Sequence, residues 1–219
     1  MNATFDRGRL VGWSILISAL VLLSYASRAS GGKPPADAAY KYSTAVGGVI
    51  QYGIILAIVL AIARPDFRRL LALRAPSSYA RALTTALGVF VVVYVISAIV
   101  SAFSDPGQEQ GLTPDKWDSG RATPYAVNFL VFVLVAPAVE ELTFRGLGYS
   151  LLEPLGRNAA VLWIGVAFGL AHGLLEALPI LIAFGAGLAL IRARTDSVYP
   201  GMVVHGLFNA VALIVSVST

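Results

Sequence analysis

The sequence predicts an all-α, polytopic transmembrane bundle of about seven spans enclosing a polar intramembrane cavity. Three observations predict it. The 219 residues are 57% hydrophobic and only 13% charged, against about 25% charged in an ordinary soluble domain, and mean hydropathy is +0.76. The apolar residues fall in runs, most of them long enough to cross a hydrocarbon core about 30 Å thick. Ionisable residues lie inside several of those runs, where their cost usually ties them to a function.

The runs follow in order. Leu10–Ser27 comes after Arg7 and Arg9. Small residues around Ala26–Ser30 would suit signal-peptide cleavage, but the basic lead and the spans that follow favour a retained first span. Ala45–Ala63 is the second run. A basic connector with Arg64, Arg68, Arg69, Arg74 and Arg81 leads to the third, Ala82–Phe103. The polar loop Ser104–Pro124 carries Asp105, Glu109, Asp115 and Asp118. The fourth run is Tyr125–Leu152, the fifth Ala159–Leu175, the sixth Leu178–Arg192 and the seventh Val198–Val217. Short connections predict that the last three pack as antiparallel neighbours. The chain reads as one integrated membrane domain, with N-terminal helices and loops over 1–124 and a four-span core over 125–219.

Charge orients the bundle. With the N-terminus in the cytoplasm, ten Lys and Arg fall in inside segments and five in outside ones, which satisfies the positive-inside rule. The basic residues flank apolar runs and form no separate face, so nucleic acid is not an expected partner; membrane lipid is. The chain has no cysteine, which excludes disulfides, a thiol nucleophile and Cys-ligated metal. No serine sits in a Gly-x-Ser-x-Gly setting, which disfavours a serine protease.

The chemistry concentrates between Ala136 and Gly146. On a helix, Glu141 and Arg145 share a face and can pair. Glu140 lies about 100° around the axis, without a local cation and in a poorly hydrated place, which suits a general base. Pro137, three residues earlier, removes one helical hydrogen bond and can bend the helix to admit water. The bland alternative is a buried ion pair that fixes packing, but it leaves the second carboxylate unexplained. His172 lies one turn from both Phe168 and Glu176; Glu176 can orient the imidazole or simply meet water. His205 and Asn209 share a face and can both donate hydrogen bonds to a developing oxyanion; as a packing pair they would contribute only about 1 kcal/mol. Together, one carboxylate, two imidazoles and an amide can activate water and stabilise a tetrahedral intermediate. Glu140, His172 and His205 are also candidates for a divalent metal such as zinc, although the zincin pattern His-Glu-x-x-His is absent. Metal dependence stays open on this reading.

Three motifs resemble those of the CPBP family of intramembrane proteases, which comprises CAAX proteases and bacteriocin-processing enzymes and is also called the Abi family. Glu140-Glu141-Leu-Thr-Phe-Arg145 matches Glu-Glu-x-x-x-Arg, Phe168-Gly-Leu-Ala-His172 matches Phe-x-x-x-His, and His205-Gly-Leu-Phe-Asn209 matches His-x-x-x-Asn. Thr195-Asp-Ser-Val-Tyr-Pro200 is similar to the family's turn before its last motif. The resemblance covers about Tyr125–Leu213. It implies an intramembrane endopeptidase of the bacterial or archaeal cytoplasmic membrane, acting on a peptide or membrane-anchored protein reached from the lipid or the cytoplasmic side. It further implies that Glu140 and His172 hold and activate water, that His205 and Asn209 stabilise the oxyanion, and that Glu141 and Arg145 support them. Members are described both as metalloproteases and as metal-free glutamate proteases, so the resemblance leaves the cofactor open. The best-known eukaryotic members trim prenylated CAAX proteins. The alternatives are a non-catalytic scaffold or bacteriocin-immunity protein, or a small proton-coupled transporter.

Overall fold

A computed structural model describes residues 6–31, 35, 37–106, 109, 114 and 116–218. Lys33 and Asp115 lie outside them. Among the described residues, seven long helices carry the fold: α1 (Arg7–Ala29), α2 (Tyr42–Ala63), α3 (Tyr79–Ser101), α4 (Ser119–Leu155), α5 (Arg157–Ala171), α6 (Leu178–Thr195) and α7 (Tyr199–Ser216). No strand occurs among the described residues. Six of the helices are long and apolar enough to cross a membrane; α5, with 15 residues, is apolar but shorter. Large apolar side chains such as Leu22, Leu23, Val91 and Ile99 stay exposed on the outside of the bundle, as expected of a surface that faces acyl chains.

The first apolar run is built into the bundle. Trp13 is buried, and its indole N–H donates to the Thr143 carbonyl at 2.9 Å. Near the other end of α1, the Ser24 hydroxyl donates to the Ala171 carbonyl at 2.8 Å. These contacts place α1 across α4 and α5.

The expectation for the last three helices is met only in part. α5 and α6 form the closest antiparallel pair, and α3 lies along the opposite side of α6. A Cβ on Gly165 would stand 2.8 Å from the Ile182 carbonyl oxygen. The two backbones therefore approach as only small residues allow. α7 touches α6 but packs mainly on α4, over Val131–Val135. The reason lies in α4, which contains two π-helical stretches, Val131–Val135 and Leu142–Gly148, on either side of the α-helical Ala136–Glu141. A π-turn leaves carbonyls off the regular ladder and favours functional sites. α7 meets them: Asn209 donates to the Phe132 carbonyl at 2.9 Å, and Gly206 packs so near the Val133 carbonyl that a Cβ would stand 2.6 Å from its oxygen. The irregularity expected at Pro137 thus takes the form of flanking π-turns.

The bundle has two chemically distinct ends. At one, Arg9 pairs with Asp66, and Arg74 and Arg192 both pair with Asp196. At the other, Tyr40, Asp37, Asp118 and Arg121 knit the loops to α4, and Asn128 donates to the Ala39 and Lys41 carbonyls. A hydrogen bond from Lys41 holds the Asp37 carboxyl below its ordinary range, and one from Arg121 does the same for Asp118.

Candidate active site

Three helices bring the six sequence-predicted residues together. Glu140, Glu141 and Arg145 come from α4. His172 follows α5 directly, and His205 and Asn209 come from α7. Phe168 and Phe184 form the apolar wall between them, with ring centroids 5.7 and 5.4 Å from His205.

The inner layer is dry. Glu141 and Arg145 are fully buried and pair at 2.8 Å, one helical turn apart, as their spacing predicts. The guanidinium also donates to the Gly185 carbonyl at 3.0 Å and lies 4.2 Å over the Phe168 ring. Glu141 Oε1 stands 3.2 Å from His205 Nδ1. Because a carboxylate beside arginine is an acceptor, this nitrogen carries a proton. A Cβ on Gly201 would run into the Glu141 carboxylate, so the start of α7 comes close enough only without a side chain.

The outer layer faces a cavity of about 600 Å³ lined by Glu140, His172, His205 and Asn209. Glu140 is 17% exposed and His172 23%. α5 stops at Ala171, because Gly173 takes a left-handed turn (φ 66°) that fits against Ser24 without room for a Cβ. His172 Nδ1 lies 2.7 Å from the Phe168 carbonyl. A carbonyl only accepts, so Nδ1 donates and Nε2 of the neutral ring is left as an acceptor. Glu176 does not orient this ring; it accepts from the Asp105 N–H at 3.0 Å. Glu140 Oε2 points between the two imidazoles, 4.0 Å from His172 Nε2 and 3.7 Å from His205 Nε2. It has no hydrogen-bond partner.

Two functional neighbours escaped sequence reasoning. The Tyr52 hydroxyl on α2 donates to Glu140 Oε1 at 2.8 Å. Its only signal is a polar pair, Gln51-Tyr52, inside an apolar run. Glu109, from the long loop, accepts the backbone N–H groups of Leu175, Glu176 and Ala177 at 2.6, 2.9 and 3.1 Å. Nothing in the pattern of a polar loop marks it.

Among the described residues, no three His, Cys, Asp or Glu groups are disposed to cage a metal ion. The gaps of 3.7 and 4.0 Å at Glu140 exceed the ~3.3 Å between ligands of a tetrahedral zinc with ~2.0 Å bonds. Both imidazoles nevertheless turn Nε2 toward Glu140, so Glu140, His172 and His205 are the residues that would hold a metal there.

An apolar helical bundle that gathers a bare carboxylate, two oriented imidazoles and an amide around a cavity has the make-up of an intramembrane hydrolase. The family comparison narrows that class. Residues 122–211 match the family model described as type II CAAX prenyl endopeptidase, Rce1-like, and that segment contains all six predicted residues. The match agrees with the resemblance of the three motifs to the CPBP family. No curated protein and no solved structure matches the chain.

Proposed function

We propose that the protein hydrolyses peptide bonds within the membrane, with Glu140 as the base that activates water. One observation carries this reading: the unpartnered Glu140 Oε2 and the two imidazole Nε2 atoms converge on one cavity. Two hydrogen bonds of ~2.8 Å from one water set their acceptors about 4.4 Å apart. The 4.0 Å between Glu140 Oε2 and His172 Nε2 lies near that span. A water donating to both turns its lone pair away from them, toward a carbonyl carbon. As the oxygen attacks, its proton passes to Glu140. Glu140 then delivers that proton to the leaving amine, and the balance closes.

The negative charge that develops on the carbonyl oxygen meets donors on α7. Asn209 spends one N–H on Phe132 and keeps the other. His205 lies beside it on the same helix face, with Nδ1 held on Glu141 and Nε2 turned to the cavity. Glu141 and Arg145 hold His205 and touch no reacting atom. Tyr52 fixes the orientation of Glu140.

The test is cleavage of a peptide library by purified protein, with and without chelator. Glu140→Gln should lower turnover by about 10³-fold, within the range of general-base loss, while the thermal midpoint stays unchanged. Full cleavage by that variant overturns the proposal. Loss of cleavage with chelator assigns the water activation to a metal instead. A cellular phenotype that persists in Glu140→Gln points to the scaffold alternative.

A further inference from the structure

The cavity opens toward one end of the bundle. Its walls come from the C-terminal half of α1 (Ser24, Arg28), the N-terminal half of α2 (Ser43, Gln51), the end of α5 (His172) and the later turns of α7 (Asn209). All of these lie toward the end that holds the Ser104–Pro124 loop. There Arg28 donates to the Glu109 carbonyl, and the Glu109 carboxylate covers the α5–α6 turn.

The arginines gather at the other end. It holds ten Lys and Arg against four Asp and Glu, whereas the cavity end holds five against six. Lys33 and Asp115 enter this count by their place in the sequence. Contacts across the basic end bind its segments into one face: Arg9 donates to the Arg64 carbonyl, Arg81 to the Arg194 carbonyl, and Ser77 N–H to the Thr195 carbonyl. All of the connectors are short, the regime in which Lys and Arg decide orientation. The basic face therefore belongs in the cytoplasm.

Depth agrees with this. α5 starts at Arg157 on the basic face and has 15 residues, so it rises about 22 Å of a ~30 Å core. His172 then lies roughly 8 Å below the opposite interface, within reach of water from that side.

We propose that the site is open to the extracytoplasmic side and takes a polypeptide segment already carried across the membrane, not a cytoplasmic C-terminal tail. This rests on the cavity being the peptidase site, and it differs from the expectation of access from the lipid or the cytoplasmic side. The sequence located the arginines but not the end at which the helices part.

The chain has no cysteine, so an introduced thiol reports alone. In intact cells a membrane-impermeant maleimide should label full-length Ser43→Cys, on the cavity wall, and Ser30→Cys, at the same end, at least tenfold faster than Ser77→Cys. Ser77→Cys should label only after permeabilisation. The reverse pattern overturns the proposal. In a second arm, a membrane-impermeant quenched peptide library is offered to sealed right-side-out and inside-out vesicles. Cleavage in right-side-out vesicles, absent with Glu140→Gln, supports the proposal; cleavage confined to inside-out vesicles overturns it. Cleavage in neither, nor in detergent, sinks the peptidase reading instead, and the thiols still decide the sidedness.

Discussion

At the residue scale, the two adjacent acids have opposite environments. Glu141 is fully buried and neutralised by Arg145, while Glu140 faces the cavity with one oxygen bare. Removing one partner of a buried pair leaves an uncompensated charge. Arg145→Met should therefore cost about 3–5 kcal/mol, read as a lower thermal midpoint in detergent. Adding Glu141→Gln should restore much of it. Tyr52→Phe removes a single hydrogen bond from Glu140 and leaves the ring in place. The expected result is about a tenfold fall in kcat, from roughly 1.5 kcal/mol, with KM and thermal midpoint unchanged. The sequence made the Glu141–Arg145 pair legible because i and i+4 face each other on any helix. It did not reveal Tyr52, since contact between α2 and α4 is tertiary. It left Glu176 with two roles, orienting the imidazole or meeting water; the helix bearing His172 stops at Ala171 and Glu176 turns to the Asp105 N–H instead.

At the element scale, α4 decides the geometry. A π-turn holds about one residue more than an α-turn, so Val131–Val135 offsets the loop-anchoring part of α4 from the catalytic part. Deleting Leu134, which is exposed, should restore a regular helix. That would turn Tyr125 and Asn128 by about 100° relative to Glu140. Activity should vanish and the thermal midpoint should fall, whereas Leu134→Ala should preserve both. Periodicity predicted the run Tyr125–Leu152 but could not show π-turns, because the apolar pattern reads the same through them. Glu109 closes the α5–α6 turn by accepting three backbone N–H groups, which lipid would leave unpaired. Glu109→Ala should cost about 2 kcal/mol, again measured by thermal unfolding. The surface carboxylates Asp37 and Asp118 titrate below their ordinary value of 3.8 in the folded protein. Their contribution is present above that pH and is lost as the pH falls through the lower folded values. Trp117, packed on Tyr40 and Tyr125, should report that loosening by fluorescence in acid and show none near neutrality.

At the scale of the whole molecule, seven apolar runs became seven helices, and the first is held by Trp13 and Ser24 rather than standing apart. Composition and run length carried that much. Helix order around the cavity was not legible, because lipid-facing and core-facing apolar residues are chemically alike. The match over residues 122–211 likewise omits α1 to α3, although α1 and α2 form one wall of the cavity. The shortness of α5 has a consequence for the surrounding lipid. A helix that falls some 8 Å short of the core thickness either pulls headgroups inward or leaves its polar end exposed to acyl chains, and both carry a cost that grows with mismatch. If the proposed peptidase activity holds, vesicles of short-chain phospholipid should therefore support faster turnover than vesicles of long-chain phospholipid.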